Sequence, residues 1–122
     1  MCEIIFSYTR KQAIEDGVLV DVSKLAAEAG FRFPVAMTST AWACCVEVSE
    51  AAEQSGQSET GRLWDVLNVL RWAVKRSPGG NEVRFQVSVF DGDRCDTVEL
   101  KSLCGPGDDA EPVITVMLPD ED

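Results

Sequence analysis

Histidine is absent from all 122 residues of this chain. That removes the side chain that most often acts as general base, partners serine and cysteine nucleophiles, and ligates metals. No C-x-x-C pair occurs, so a zinc site or a thioredoxin-type redox pair lacks sequence support. Neither G-x-G-x-x-G nor G-x-x-x-x-G-K-[ST] is present, which leaves no nucleotide fingerprint. No apolar run approaches the roughly 20 residues of a membrane-spanning helix. The opening MCEIIFSYTRK sets no basic leader before an apolar run, which predicts no secretory signal and a cytoplasmic address. Basic residues are scarce too: 11 Lys and Arg stand against 21 Asp and Glu, a formal net charge of −10. Such a surface repels nucleic-acid phosphates and acidic membranes, so neither is an expected direct partner. Its electrostatic complement is a basic protein, here a basic host protein, or a cation.

What is present reads as one globular domain over residues 1–122, with 45% hydrophobic and 26% charged residues. Five cysteines, an odd number with Cys44 and Cys45 adjacent, make a poor disulfide framework and predict reduced thiols. The charge is unevenly spread. Residues 61–90 carry two acids against five bases, whereas residues 91–122 carry ten acids against two bases.

Periodicity gives the element order. Glu3 to Tyr8 reads as a short strand. Thr9 caps a short helix that stops at Gly17, and the β-branched VLVDV is extended. Ser23 is positioned to cap SKLAAEA, with Gly30 as its stop. FRFPVAMT is extended because Pro34 steers Phe33 out of the helical region. Thr38 or Ser39 opens a helix to about Gln54, with Ala41, Cys44, Cys45, Val48 and Ala52 as its apolar stripe. After a polar connector, Thr60 to Ser77 is the clearest helix, with Leu63, Val66, Leu67, Leu70, Ala73 and Val74 on one face, and Pro78-Gly79-Gly80 ends it. EVRFQVSVF and CDTVELKSL alternate around an Asp91-Gly92-Asp93-Arg94 turn, a hairpin that PVITVMLP extends to a three-stranded meander. The fold class is α+β, helices on one face of a mostly antiparallel sheet.

Candidate sites are few. Asp108, Asp109 and Glu111 form the densest carboxylate group, beside a glycine-rich loop. Paired carboxylates can hold magnesium or share protons, yet Gly-Pro-Gly-Asp-Asp is also the composition of a tight strand connector. With Asp120, Glu121 and Asp122 they flank an apolar strand at Val113 to Leu118, and the expectation is that they are solvated, guarding the strand ends and offering a docking surface to a basic partner. The Asp91-Gly92-Asp93 stretch fails the calcium-loop pattern, because Ser102 stands where a bidentate Glu is needed. Cys44 and Cys45 read as buried structural thiols. Trp72 lies half a turn away from the Leu63 stripe, among Asp65, Asn68 and Arg76. It is either an interface anchor beside Arg71, Lys75 and Arg76, or it is covered by the segment that follows the helix. No catalytic residue, metal ligand or cofactor is assigned.

The stretches YTRKQAIEDGVLVDVSKLAAEAGF, GRLWDVLNVLRWAVKR and LCGPGDDAEPVITVMLPDED, in this order, resemble a family of small uncharacterised proteins encoded on bacterial plasmids and other mobile elements. That family is classed as a domain of unknown function. The resemblance implies a setting accessory to a mobile element and carries over no activity and no catalytic residue.

Three functions then rank in order. The first is a non-enzymatic interaction protein whose acidic surface competes for a basic host protein as a nucleic-acid mimic or anti-defence protein does. The second is a small-molecule-binding domain with a cavity between helices and sheet. The third is a carboxylate-dependent, magnesium-using enzyme built on Asp108, Asp109 and Glu111. The oligomeric state stays open.

Overall fold

The structure, a computed structural model, describes residues 9–76, 81–90 and 94–121. The strand expected at Glu3 to Tyr8, the helix stop at residues 78–80, the turn at residues 91–93, and Cys2 and Asp122 lie outside the described residues.

Thr9 caps the first helix, α1 (Arg10–Glu15), through a reciprocal box. Its hydroxyl accepts from Gln12 N, and the Gln12 side chain accepts from Thr9 N–H. Gly17 follows at φ +80°, the left-handed conformation that ends a helix most easily with glycine. Strand β1 (Leu19–Asp21) leads into α2 (Ser23–Glu28). Ser23 does not cap α2. The N-cap position is Val22, without a side-chain bond, and the Ser23 hydroxyl turns to the next strand, accepting from Val35 N at 3.0 Å. A hydroxyl serves whichever orphaned amide lies nearer, and here tertiary packing supplies one.

Strand β2 (Val35–Thr38) hands directly to α3 (Ser39–Cys45), whose N-cap is Thr38. The single helix expected to reach Gln54 is two helices. α3 ends at Cys45, and Ser49 caps a separate α4 (Glu50–Gln54) by accepting from Ala52 N. The break buries Val46 completely and exposes Cys44, so the stripe drawn through Cys44 is wrong by one residue. A second cause is Arg62, whose Nη1 donates to Glu47 O at 2.7 Å and holds the interhelical turn open.

The long helix α5 (Glu59–Arg76) buries Leu63, Val66, Leu67 and Leu70 as its spacing requires. Val74, expected in the same row, is 41% exposed. Ala73 is partly buried against the core, so full burial ends at Leu70.

Strands β3 (Glu82–Phe90), β4 (Cys95–Pro106) and β5 (Pro112–Met117) form the expected antiparallel meander. The whole sheet runs β1-β2-β5-β4-β3, antiparallel except where β2 meets β5 in parallel. The α+β class holds. β5 is therefore interior, as an apolar run with both faces occupied demands. Cross-strand partners share a face. Phe85 with Leu100, Val35 with Ile114, and Met37 with Val116 make the face that α2, α3 and α5 cover. α1 differs from these three helices. Its Arg10 reaches Thr115 on the other face, where Val113, Met117 and Leu103 also lie.

Candidate functional site

The acidic end of the chain is built into the fold more tightly than its composition suggests. Between β4 and β5 the chain turns through Gly107 to Glu111, closed by a Gly107 N–H bond to Glu111 O at 2.6 Å, with Ala110 at φ +67°. Asp108 is exposed but occupied. Its two carboxylate oxygens accept from Arg10 N at 2.8 Å and Lys11 N at 3.0 Å, amides of the first turn of α1 that have no partner within the helix. Those two backbone bonds, helped by the Arg10 and Lys11 charges, hold the Asp108 carboxyl below the usual aspartate range. Arg10 completes the joint, with Nη1 on Thr115 Oγ1 at 2.7 Å and Nη2 on Ile114 O at 2.9 Å. Burial lowers the Arg10 pKa, against the pull of Asp21, Asp108 and Glu111.

The five described acids of the six expected to be solvated therefore divide. Glu111 accepts Asp109 N at 3.0 Å and stiffens its own loop. Glu121 accepts from Thr38 Oγ1 at 2.7 Å and from Leu118 N at 2.8 Å, which ties the segment after β5 to the start of α3. Asp109 and Asp120 are exposed. Asp108 and Glu111 border one recess beneath α1, and Asp109 does not reach it. Among the described residues no three Cys, Asp or Glu side chains gather closely enough to hold a metal ion.

Trp72 belongs to a different surface. It is 64% exposed on α5, the most exposed large hydrophobic side chain among the described residues, and the Arg76 guanidinium lies over its ring at 4.9 Å from the centroid. Val69 and Ala73 stand beside it. Together they wall a groove of about 480 Å³ whose floor is Phe85 and whose far rim is Arg84, both on β3. From Val66 to Arg76, α5 carries Arg71, Lys75 and Arg76 and no acid. A chain of net charge −10 thus presents its indole in a locally cationic setting.

The family model described as "Family of unknown function (DUF6573)" matches residues 1–122. The chain belongs to that family. No curated protein and no solved structure matches it. Membership carries no activity, so the site has to be weighed on its geometry.

Two features escaped sequence reasoning. One is a hollow of about 870 Å³ that is not between the main helices and the sheet. It lies on the other face, bounded by Arg10, Thr38, Thr115, Met117, Leu103 and Glu121. The apolar residues on both faces of PVITVM were the available signal, since a second covered face implies something packed over it. The other is Arg62, 7% exposed, whose Nη2 donates to Phe90 O and whose Nε has no partner. A charged residue one place before Leu63 reads as solvent-facing on a helical wheel, and nothing local marks it as a clamp. No helix among the described residues is long and apolar enough to cross a membrane.

Proposed function

We propose that this chain is a non-enzymatic, cytoplasmic interaction protein, accessory to a mobile genetic element, that docks a partner protein through Trp72 and the groove beside it. The observation that carries this reading is the exposure of Trp72 on α5 next to an apolar groove with a cationic rim. Exposing an indole on a monomer surface forfeits a large hydrophobic gain, and tryptophan with arginine is the pair most enriched at the energetic centres of interfaces. The mobile-element setting is supported by the resemblance of three stretches that together run through most of the chain.

A second reading keeps the acidic surface as the docking face for a basic host protein, in the manner of a nucleic-acid mimic or anti-defence protein. Its support is the ten acids among residues 91–122, of which Asp96, Glu99, Asp109, Glu111 and Asp120 are exposed. It ranks below the first because Asp108, Glu111 and Glu121 are already bonded within the fold. The hollow on the second sheet face has the volume of a small-molecule site. Thr115 and Thr38 in its wall are committed, to Arg10 and Glu121, while Ser39, Thr40 and Asn81 also line it, and no charged group faces it that is not already bonded within the fold or exposed.

The experiment compares proteins captured from a host extract by the native chain, by Trp72→Ala, and by the combined Asp109→Asn, Glu111→Gln, Asp120→Asn variant. Loss of a stoichiometric partner with Trp72→Ala alone supports the groove. Loss with the triple variant alone moves the function to the acidic surface.

A further inference from the structure

Among the described residues the sheet order leaves β3 paired with β4 on one side only. Its ladder shows which backbone groups point the other way. Glu82 pairs with Leu103, which places Asn81 opposite Cys104, and Cys104 N–H donates to Asn81 O at 2.8 Å. Antiparallel ladders alternate bonded and non-bonded pairs. Val83, Phe85, Val87 and Val89 therefore bond to β4, while the N–H and C=O groups of Glu82, Arg84, Gln86, Ser88 and Phe90 face away from the sheet. Phe90 O, one of the outward set, is the acceptor that Arg62 Nη2 takes, which agrees with this phase. Among the described residues nothing bonds the backbone of the other four along that edge.

Among the described residues this edge lacks the usual protections. β3 is nine residues long, has no proline and pairs one-to-one with β4 throughout. Natural edges are blunted by proline, bulges, shortness or a row of charges. β1, at the opposite edge, is three residues long. Among the described residues β3 carries one ion pair, Arg84–Glu82 at 3.1 Å, an exposed pair of a kind that contributes little.

The groove beside Trp72 wraps this same edge. It touches Phe85, whose side chain points under α5, and Arg84, whose side chain points to the opposite face. A strand laid along β3 would alternate its side chains between those two faces. Side chains on the helix side would meet Val69, Trp72 and Ala73. Those on the other side would meet Arg84. Arg76 stands over the ring of Trp72, the nearest acids on α5 lie at Asp65 and before, and β3 itself adds one acid, Glu82, beside Arg84. A second copy of this chain would bring a further Arg71, Lys75 and Arg76 to the helix side of the seam, like charge against like, with Glu82 the one acid that its β3 adds.

Resting on the reading of Trp72 as a docking anchor, we propose that β3 accepts an extended, acidic segment of a partner protein as a sixth strand, with alternate apolar side chains over Trp72 and carboxylates at Arg84, drawn in by the nearby charge of Arg76. Backbone pairing supplies the affinity and the two faces supply the selection, as in other strand-addition complexes.

The test uses the full chain and two blocked ten-residue peptides, one alternating valine with glutamate and one alternating valine with lysine. Tryptophan fluorescence reports binding, and amide hydrogen exchange by NMR reports the edge. The glutamate peptide is expected to bind at least about tenfold more tightly than the lysine peptide, and added salt to narrow the gap. The amides of Arg84, Gln86 and Ser88 should then exchange at least about tenfold more slowly, while those of Phe85 and Val87, already bonded to β4, change little. Arg84→Glu, an exposed change that spares the core, should reverse the preference between the peptides. If the glutamate peptide binds and perturbs Trp72 but leaves the edge amides unprotected, strand addition is wrong while the Trp72 anchor stands. Equal affinity for both peptides, or no binding by the glutamate peptide, overturns the acidic partner. Protection of the same amides without peptide, rising with protein concentration together with a doubled mass, makes a second copy the occupant and overturns the proposal.

Discussion

Replacing Leu67 with alanine removes three carbons from a side chain with no solvent exposure, at the centre of the α5 face against the sheet. Transfer alone sets the loss at about 2.4 kcal/mol, from roughly 0.8 kcal/mol per buried carbon. The site has little freedom to collapse, because Leu67 packs within a cluster that includes the fully buried Met37, Leu70 and Leu100. A cavity term therefore adds to transfer, and the expected total is about 3–5 kcal/mol. For a chain of this length, about 4 °C in Tm accompanies each kcal/mol, so Tm should fall by roughly 12–20 °C. Urea unfolding of the native chain and Leu67→Ala, fitted with a common slope, measures it. Trp72→Ala is the internal control. It lies five residues along the same helix, yet most of the indole is already in water, and alanine is the better helix former, so its loss should be about 1 kcal/mol or less. A Leu67→Ala loss below about 0.5 kcal/mol, or a Trp72→Ala loss that matches it, would refute the assignment of the two faces.

The other expectations follow from single contacts. All five thiols should titrate as free after unfolding, and in the native chain the exposed Cys44 and Cys95 should react well before Cys45, whose thiol burial pushes up to about 12. A thiol reagent followed over time checks both, and early modification of Cys45 counts against its placement. Asp108→Asn should lose stability at neutral pH. The Asp108 carboxyl is lowered in the fold, so its contribution is whole above the unfolded value of about 3.9 and disappears as pH falls through the lower folded value. Native and variant unfolding curves should accordingly converge in acid, and a gap that persists there would contradict the cap. Thr38→Val removes both the α3 cap and the donor to Glu121, and about 1–2 kcal/mol should be lost by denaturant unfolding.

Much of the fold was legible because local chemistry and tertiary structure agree along most of the chain. Thr9 with Gln12 makes a capping box wherever it is placed, and the alternation of Val83, Phe85 and Val87 has one buried solution. Legibility failed where a distant group decided. The Ser23 hydroxyl prefers the Val35 amide of another element, and Arg62 reaches across 15 and 28 residues to hold the turn at Glu47 and the end of β3. Charge density proved the weakest guide to the site. Asp108 and Glu121 look like part of a solvated acidic cluster, and both are bonded to groups more than eighty positions away along the chain. Trp72 was visible as an anomaly on its helical wheel. Only the strand placed beside α5 could show that it overlooks a groove at the β3 edge.

The central claim, docking through Trp72, is tested most directly by isothermal titration of the captured partner into the native chain and into Trp72→Ala. An interface anchor of this kind contributes at least about 2 kcal/mol, so the expected result is a Kd weakened by roughly thirtyfold or more with the fold unchanged. A Kd within about threefold of the native value would contradict the claim.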